Sequence, residues 1–217
     1  MGAKASIIKA TRAHAPFLAR TILAASRSHL PRGPFDFALD LPDTELLTVI
    51  ERMALGDFVC NCHFTRFLVA EIAGMPVGAL AAFDPGEDSL PPLGAALLDS
   101  CGALGHSSQK LAAVAARIEA LERCFPRAEP GTWTIEWVAV AEPHRRHGIC
   151  GQLTEAVLAK GARRGCRETQ ISTYIGNDAA AAAYARSGFL AAREHRSVDL
   201  EDMLGVPGLQ VMHRDLP

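Results

Sequence analysis

The sequence lacks a long hydrophobic run: no stretch approaches the 18 consecutive apolar residues that indicate a membrane helix. It also lacks a charged N-terminal segment followed by an apolar one, so we expect a cytoplasmic protein rather than an exported one. Basic residues are not in excess, because the formal net charge is −2 at pH 7, whereas nucleic-acid-binding domains usually carry a strongly basic face. We therefore expect neither a membrane nor a nucleic acid as a partner.

Cysteine pairs of the C-x-x-C type are lacking as well, although the chain has 6 cysteines. A chain of this length buries roughly 70% of its unfolded surface, so its core needs no disulfides and reduced thiols are expected. The tetrapeptide Cys60-Asn61-Cys62-His63 could bind a metal together with Cys101 and His106, but no second pair of cysteines accompanies it. Buried or surface thiols are the favoured interpretation, and we predict no metal site.

Apolar residues recur with the period of strands in some segments and of helices in others. Strands are predicted at residues 6–10, 67–72, 77–83, 132–140, 168–174, 190–198 and 209–213. Helices are predicted at 13–27, 43–55, 107–124, 148–164 and, after the N-cap Asn177, up to a stop at Gly188. Residues 31–34, which include two prolines and a glycine, are expected to break the first helix. Residues 199–208 are expected to connect the last two strands.

The stretch Arg145-Arg146-His147-Gly148-Ile149-Cys150-Gly151 joins a predicted strand to a predicted helix. Free backbone N–H groups and the positive end of the helix dipole form an anion site at such a helix start. The side chains of Arg145, Arg146 and His147 add charge or hydrogen-bond donors. Neither the G-x-x-x-x-G-K-[ST] loop nor the G-x-G-x-x-G fingerprint is present. The residues therefore predict a phosphate-bearing ligand without identifying it.

This loop resembles the Q/R-x-x-G-x-G/A pyrophosphate loop of the GNAT acyltransferase superfamily, whose members bind acetyl-CoA. Arg145 occupies the Q/R position and Gly148 the first glycine, while Cys150 stands where Gly or Ala is usual. A second block of the sequence is similar to the family's N-x-x-A-x-x-L-Y-x-x-x-G-F. It matches at Asn177, Ala180, Tyr184, Gly188 and Phe189, and it has Ala183 in place of the leucine. The resemblance is firm over residues 132–196 and loose before them.

The resemblance implies an α/β (α+β) fold, in which helices flank a mixed, mainly antiparallel central sheet. It implies a single domain over residues 1–217, with a helical insertion at residues 84–131 that compact family members lack. The amphipathic helix predicted in this insertion either packs outside the core, which is the favoured interpretation, or forms a lid or wall of the acceptor pocket. A homodimer is compatible with the sequence.

The resemblance also implies a function, the transfer of an acyl group from acetyl-CoA to a primary amine by direct attack in a ternary complex. The amine belongs to a small molecule or a peptide, and no residue decides between them. The alternative is a CoA-binding module that serves sensing or assembly without catalysis. The presence of Tyr184 favours the enzyme.

Two residues carry the chemistry that the resemblance implies. Tyr184 is the candidate acid, which protonates the departing thiolate, and Glu136 is the candidate base, which takes the proton of the amine. Glu142, His144 and Glu71 are lesser candidates for the base.

The cofactor is expected to bind along strand 132–140 and the loop that follows it. Alternation along this strand places Glu136 on one face with Thr134, Val138 and Val140, unless a bulge intervenes. Where the strand splays from its neighbour, a backbone N–H of residues 138–140 is expected to polarise the thioester carbonyl. The predicted cofactor-binding residues are Val138, Ala139, Val140, Arg145, Arg146, His147, Gly148, Ile149, Cys150, Gly151, Asn177 and Tyr184.

Overall fold

The computed structural model describes residues 5–86, 93–127 and 131–216. The strands in these residues are β1 (Ser6–Lys9), β2 (Phe67–Ile72), β3 (Met75–Phe83), β4 (Thr132–Val140), β5 (Glu168–Tyr174), β6 (Leu190–Arg196) and β7 (Gly208–Asp215). They form one sheet in the order β1-β2-β3-β4-β5-β7-β6. The pair β4–β5 is parallel, and the other pairs are antiparallel. The predicted mixed, mainly antiparallel sheet is therefore confirmed.

Helices cover both faces of this sheet. They are α1 (Ala15–Arg27), α2 (Pro34–Leu39), α3 (Asp43–Leu55), α4 (Leu93–Ala103), α5 (Ser108–Glu122), α6 (Ile149–Arg163), α7 (Asp178–Arg186) and α8 (Val198–Leu204). Short 3-10 turns lie at Arg12–His14, Phe64–Arg66 and Glu142–His144. Within the described residues, no helix is both long enough and apolar enough to cross a membrane.

Two hydrophobic clusters lie on opposite faces of the sheet. Helices α1 to α5 and α8 contribute to the first, and α6 and α7 contribute to the second. Adjacent residues of β2 divide between them, since Val69 belongs to the first cluster and Ala70 to the second. We call the face that carries α1 to α5 the front face and the face that carries α6 and α7 the back face.

Helix α1 ends at Arg27, ahead of the break predicted at residues 31–34, and a separate helix, α2, begins at Pro34. Helix α2 was not predicted, although proline at the first position of a helix loses no hydrogen bond there. Asp36 then closes the turn: its Oδ2 accepts from the backbone N–H of Gly33 at 2.8 Å. The Arg27 guanidinium donates to both carboxylate oxygens of Asp36, which ties α2 to the end of α1.

Helices α4 and α8 were also not predicted. The sequence of α4 is apolar on most sides, so it shows no stripe of helical period. Helix α8 is short and begins with a local cap, in which Ser197 Oγ accepts from the backbone N–H of Leu200 at 3.2 Å. Because of this cap, the strand predicted at 190–198 ends at Arg196.

The centre of the sheet opens along β4. Strands β4 and β5 pair from Thr132 opposite Glu168 to Ile135 opposite Ile171, and the pairing stops there. On the other side, the register of β4 with β3 shifts between Ala79 and Ala81. The predicted splaying of β4 from its neighbour is confirmed, and it leaves a cleft between the carboxyl-terminal halves of the two strands.

Candidate active site

A cavity of about 1450 Å³ occupies this cleft. Its wall includes β4 and β5, the starts of α6 and α7, and parts of α1, α2, α4 and α5. Of the predicted cofactor-binding residues, the wall contains Val138, Ala139, Val140, Arg145, Arg146, Gly148, Ile149, Cys150, Gly151, Asn177 and Tyr184. His147 is exposed and lies outside the wall. The cavity therefore brings together residues that the sequence places in three separate segments.

The phosphate loop has the backbone geometry that an anion site needs. Gly148 caps α6 with φ 78°, a left-handed conformation that favours glycine. The first N–H groups of a helix have no acceptor within the helix, and the start of α6 lines the cavity, so these groups and the positive end of the helix dipole are available to an anion there. Gly151 has no atom within 4 Å of where a Cβ would lie. The helix start therefore leaves room for a bulky anion.

Arg145 connects this loop to the strand before it. Its Nε donates to the carbonyl oxygen of Val140 at 3.0 Å, so the side chain holds the end of β4 against the loop. Arg146 has φ 63°, which is uncommon for a residue other than glycine. The two arginines thus shape the loop in addition to supplying positive charge.

Asn177 begins α7 in the way the sequence predicts. Its Oδ1 accepts from the backbone N–H of Ala180 at 3.1 Å, which confirms the N-cap. Its Nδ2 donates to Ser28 Oγ at 2.5 Å, which ties the start of α7 to the end of α1. Both ends of the amide are therefore engaged in positioning α7, and with it Tyr184.

Tyr184 is buried in the cavity wall, and its ring lies edge-on to Phe189 with centroids 6.4 Å apart. Burial raises the pKa of the Tyr184 phenol above its usual value, and nearby Cys150 adds to this effect. The phenol is protonated at neutral pH, as an ordinary tyrosine also is, and the raised pKa makes it a weaker proton donor than an exposed phenol. Burial also raises the pKa of the Cys150 thiol, which disfavours Cys150 as a nucleophile.

Glu136 lies in the cavity wall on β4. Burial raises the pKa of its carboxyl to about 7, and a hydrogen bond from Asn61 acts in the opposite direction. The Nδ2 of Asn61 donates to Glu136 Oε2 at 2.5 Å. A carboxylate with a pKa near neutrality suits a general base at physiological pH.

A bulge in β4 overturns one prediction about Glu136. Glu136 lies opposite Ala81, and Ala139 lies opposite Ala79. Between these pairs, two residues of β4, Trp137 and Val138, face the single residue Leu80 of β3, which is a β-bulge. Trp137 has φ 54°. The shared face predicted for Glu136 with Val138 and Val140 is therefore wrong: Trp137 packs on the front cluster, while the two valines pack on the back cluster.

Two of the three lesser candidates for the base lie outside the cavity wall. Glu71 lies on β2, where its Oε1 is 3.1 Å from Nε2 of His14. Glu142 is exposed and also outside the wall, whereas His144 lines it. The cavity wall therefore contains two of the four candidates, Glu136 and His144.

Asn61 is a site residue that the sequence does not mark, since it stands out there only as a member of the tetrapeptide Cys60-Asn61-Cys62-His63. Its neighbours Cys60 and Cys62 are fully buried, and all 6 cysteines carry free thiols. Among the described residues, no group of three or more His, Cys, Asp or Glu is arranged to hold a metal. The contact of Asn61 with Glu136 spans 75 positions, so no local sequence signal marks it.

The predicted insertion contributes two helices to the cavity wall. Of residues 84–131, the segments 87–92 and 128–130 lie outside the described residues. Helix α5 packs on α2 and α4, and its residues Val114 and Leu121 belong to the front cluster. Residues of α4 and α5 also line the cavity, namely Leu93, Gly94, Leu97, Ile118, Leu121 and Glu122. The helices therefore pack on the front face and also line the cavity.

A family model described as the acetyltransferase (GNAT) family matches residues 40–189, which is more than half of the chain. The chain belongs to the GNAT acetyltransferase family. The match includes the phosphate loop, the start of α7 and Tyr184. No curated protein matches the chain significantly.

Solved acetyltransferase structures share the fold of this GNAT protein. One acetyltransferase has a TM-score of 0.69 at 19% identity, with 98% of this chain and 100% of that chain covered. An N-acetyltransferase from Staphylococcus aureus Mu50 has a TM-score of 0.67 at 16% identity, covering 96% and 100%. A putative acetyltransferase from Salmonella typhimurium, solved with its cofactor acetyl-CoA, has a TM-score of 0.55 at 15% identity, covering 99% and 95%.

Proposed function

We propose that this protein is an acetyl-CoA-dependent N-acetyltransferase that transfers the acetyl group to a primary amine by direct attack. The observation that carries the proposal is that a candidate base and a candidate acid lie in the wall of the same cavity. Glu136, with a pKa of about 7, and Tyr184, which is protonated, both line the cavity that ends at the phosphate loop. A cytoplasmic location fits the free thiols of all 6 cysteines.

Acetyl-CoA fits the features of this cavity. The start of α6 would hold the pyrophosphate through backbone N–H groups and the helix dipole, with Arg145 and Arg146 close by. The pantetheine arm would lie along β4 beyond Ile135, where the strand no longer pairs with β5. A structural neighbour that was solved with acetyl-CoA supports this choice of cosubstrate.

The reaction removes two protons from the acceptor nitrogen and supplies one to the departing sulfur. The Glu136 carboxylate takes the first proton from the ammonium group, directly or through a water molecule, and the neutral amine attacks the thioester carbon. A backbone N–H of residues 138–140 stabilises the negative charge on the carbonyl oxygen. The carbon–sulfur bond then breaks, and the Tyr184 phenol supplies the proton to the departing thiolate. The second proton of the nitrogen returns through water to the Tyr184 phenolate, and the proton on Glu136 is released to solvent.

The protonation states favour this enzyme over a CoA-binding module without catalysis. A module needs the phosphate loop but has no use for a half-buried carboxyl of raised pKa beside the cofactor cleft. Perturbed pKa values of this kind cluster at catalytic sites.

The test is an assay of acetyl-CoA with a panel of primary amines. Thiol release is followed with a chromogenic disulfide reagent, and the acetylated amine is identified by mass spectrometry. We expect both products in equal amounts with at least one class of amine. A protein that binds acetyl-CoA but releases no thiol with any amine is a CoA-binding module instead.

A further inference from the structure

The two faces of the sheet contribute different chemistry to the cavity. The back face supplies α6 and α7, with the phosphate loop and Tyr184. The front face supplies α1, α2, α4 and α5, together with Glu136 and Asn61 at its base. The end of α1 and the residues after it contribute polar groups, namely Ser26, Ser28 and His29. Because the proposed cofactor occupies the side of the phosphate loop, the acceptor amine must approach Glu136 from the front face.

The part of the front wall that α2, α4, α5 and Trp137 form is largely apolar. Its main side chains are Phe35 of α2, Leu93 and Leu97 of α4, Ile118 and Leu121 of α5, and Trp137 of β4. The rings of Phe35 and Trp137 lie 5.8 Å apart, so this apolar surface reaches the residue that follows Glu136 in β4. A surface of this kind stabilises a ligand by removing apolar area from water.

Charged groups are few on this wall. Among the described residues that α2, α5 and the segment after α5 contribute, Glu122 and Arg127 are the charged ones that line the cavity. Both are exposed and they have opposite signs, so they give the wall no net charge. Apart from these two side chains, polar side-chain atoms lie only at the base of this part of the described wall, beside Glu136, where Nε1 of Trp137 and Oδ1 of Asn61 have no hydrogen-bond partner. Farther along α2, α4 and α5, a carboxylate or a set of sugar hydroxyls on the acceptor would lie against apolar side chains, which is unfavourable.

We propose that the acceptor is a primary amine on an apolar body, aliphatic or aromatic, and that it carries no carboxylate. The ammonium group lies at Glu136, and the apolar body lies along Trp137 and Phe35 towards the insertion helices α4 and α5. This inference rests on the proposed function. It gives the insertion a role in choosing the substrate.

The first experiment measures kcat/KM on the wild-type protein for a series of n-alkylamines from butylamine to octylamine. Each methylene group that leaves water should raise kcat/KM about fourfold until the pocket is full. A matched pair isolates the carboxylate: 2-phenylethylamine should exceed phenylalanine by at least about tenfold, because the two differ only in that group. An aminosugar serves as the polar acceptor.

The second experiment changes the wall itself. Ile118→Asp places a charge in the half-buried wall and should lower kcat/KM for octylamine by about tenfold or more, with the affinity for acetyl-CoA unchanged. Ala116→Asp is the control, because Ala116 is exposed on the same helix and lies outside the wall. It should behave as the wild type. If Ile118→Asp does not fold, the alkylamine series still decides the question.

The outcomes separate this inference from the proposed function. A flat alkylamine series, or a preference for phenylalanine or the aminosugar, overturns the apolar acceptor and leaves the acetyltransferase in place. An equal loss of kcat/KM for octylamine in Ile118→Asp and Ala116→Asp would also contradict the proposal that α5 forms a wall of the acceptor pocket. Absence of thiol release with every amine overturns the proposed function and this inference with it.

Discussion

Asn61 donates a hydrogen bond from its Nδ2 to Oε2 of Glu136 at 2.5 Å, across 75 positions of the sequence. A donor to a carboxylate favours the charged form, so this bond lowers the pKa that burial raises. The balance of the two effects leaves the pKa of Glu136 at about 7. Asn61 therefore both orients the proposed base and sets the pH at which it works.

Replacement of the base should change the pH profile of the reaction. In the wild type, kcat/KM should rise with pH through about 7 as Glu136 loses its proton. Glu136→Gln keeps the size of the side chain and should lower kcat by ~10²–10⁴-fold at neutral pH. The deficit should shrink at high pH, where the amine loses its proton unaided. A deficit that stays constant up to pH 10 would make Glu136 a structural residue.

The same variant should be more stable than the wild type in alkaline solution. The folded-state pKa of Glu136, about 7, lies above its ordinary value of 4.5, so between these values the folded protein binds more protons than the unfolded chain. Stability therefore falls as pH rises through this window. At pH 8, Glu136→Gln should be more stable by on the order of 1–3 kcal/mol, and the difference should largely vanish at pH 4.5. Urea unfolding at both pH values measures it, and an equal difference at both would contradict the raised pKa.

Replacement of Asn61 should shift the pH at which kcat/KM rises as Glu136 loses its proton. Asn61→Ala removes the hydrogen bond that lowers the pKa of Glu136, so the rise should shift to higher pH. Asn61→Asp should shift it further, because a second carboxylate repels the charge on Glu136. Asp57→Ala, at an exposed position in the same loop, is the control. A rise that stays at the wild-type pH in both Asn61 variants would leave Asn61 without influence on the base.

The phosphate site can be tested with a pair of variants at Gly151. Its ideal Cβ position is open, so Gly151→Ala and Gly151→Asp should both fold. Aspartate near a helix start is favourable in the free protein, but it repels a bound pyrophosphate. Acetyl-CoA should raise the melting temperature of the wild type and the alanine variant, because it binds only the folded state. It should have no such effect on Gly151→Asp. An equal rise in both variants would place the pyrophosphate elsewhere.

The role of Tyr184 as the proton donor can be tested by comparing it with Tyr174, the other tyrosine of the chain. Tyr184→Phe keeps the ring against Phe189 and removes the O–H, so kcat should fall by ~10²-fold while acetyl-CoA still binds. Tyr174→Phe removes a hydrogen bond to the carbonyl of Ser26 and should affect stability by about 1 kcal/mol, with kcat close to the wild type. Single-turnover kinetics ensure that chemistry is measured. Wild-type turnover by Tyr184→Phe would remove this residue from the mechanism.

Several features were predictable because they depend on residues close together in the sequence. The N-cap at Asn177 needs only the backbone N–H three residues later, and the left-handed Gly148 lies within the loop that it closes. Strand 132–140 and helix 43–55 were predicted at their observed bounds, since their periodicity is complete within each segment. The short helix α8 was missed, although its cap at Ser197 is equally local.

The residues of the sequence by themselves thus determined the strands, the phosphate loop and the spacing that places Tyr184 two turns into α7. Tertiary structure decided the rest, because it depends on the register between distant segments. The bulge at Trp137 arises from the pairing of β4 with β3 and turns Val138 away from Glu136. The pKa of Glu136 depends on burial and on Asn61, and only packing brings α4 and α5 of the insertion to the cavity wall. Contacts between residues 75 positions apart form only when the chain has folded, so the pattern near either residue does not contain them.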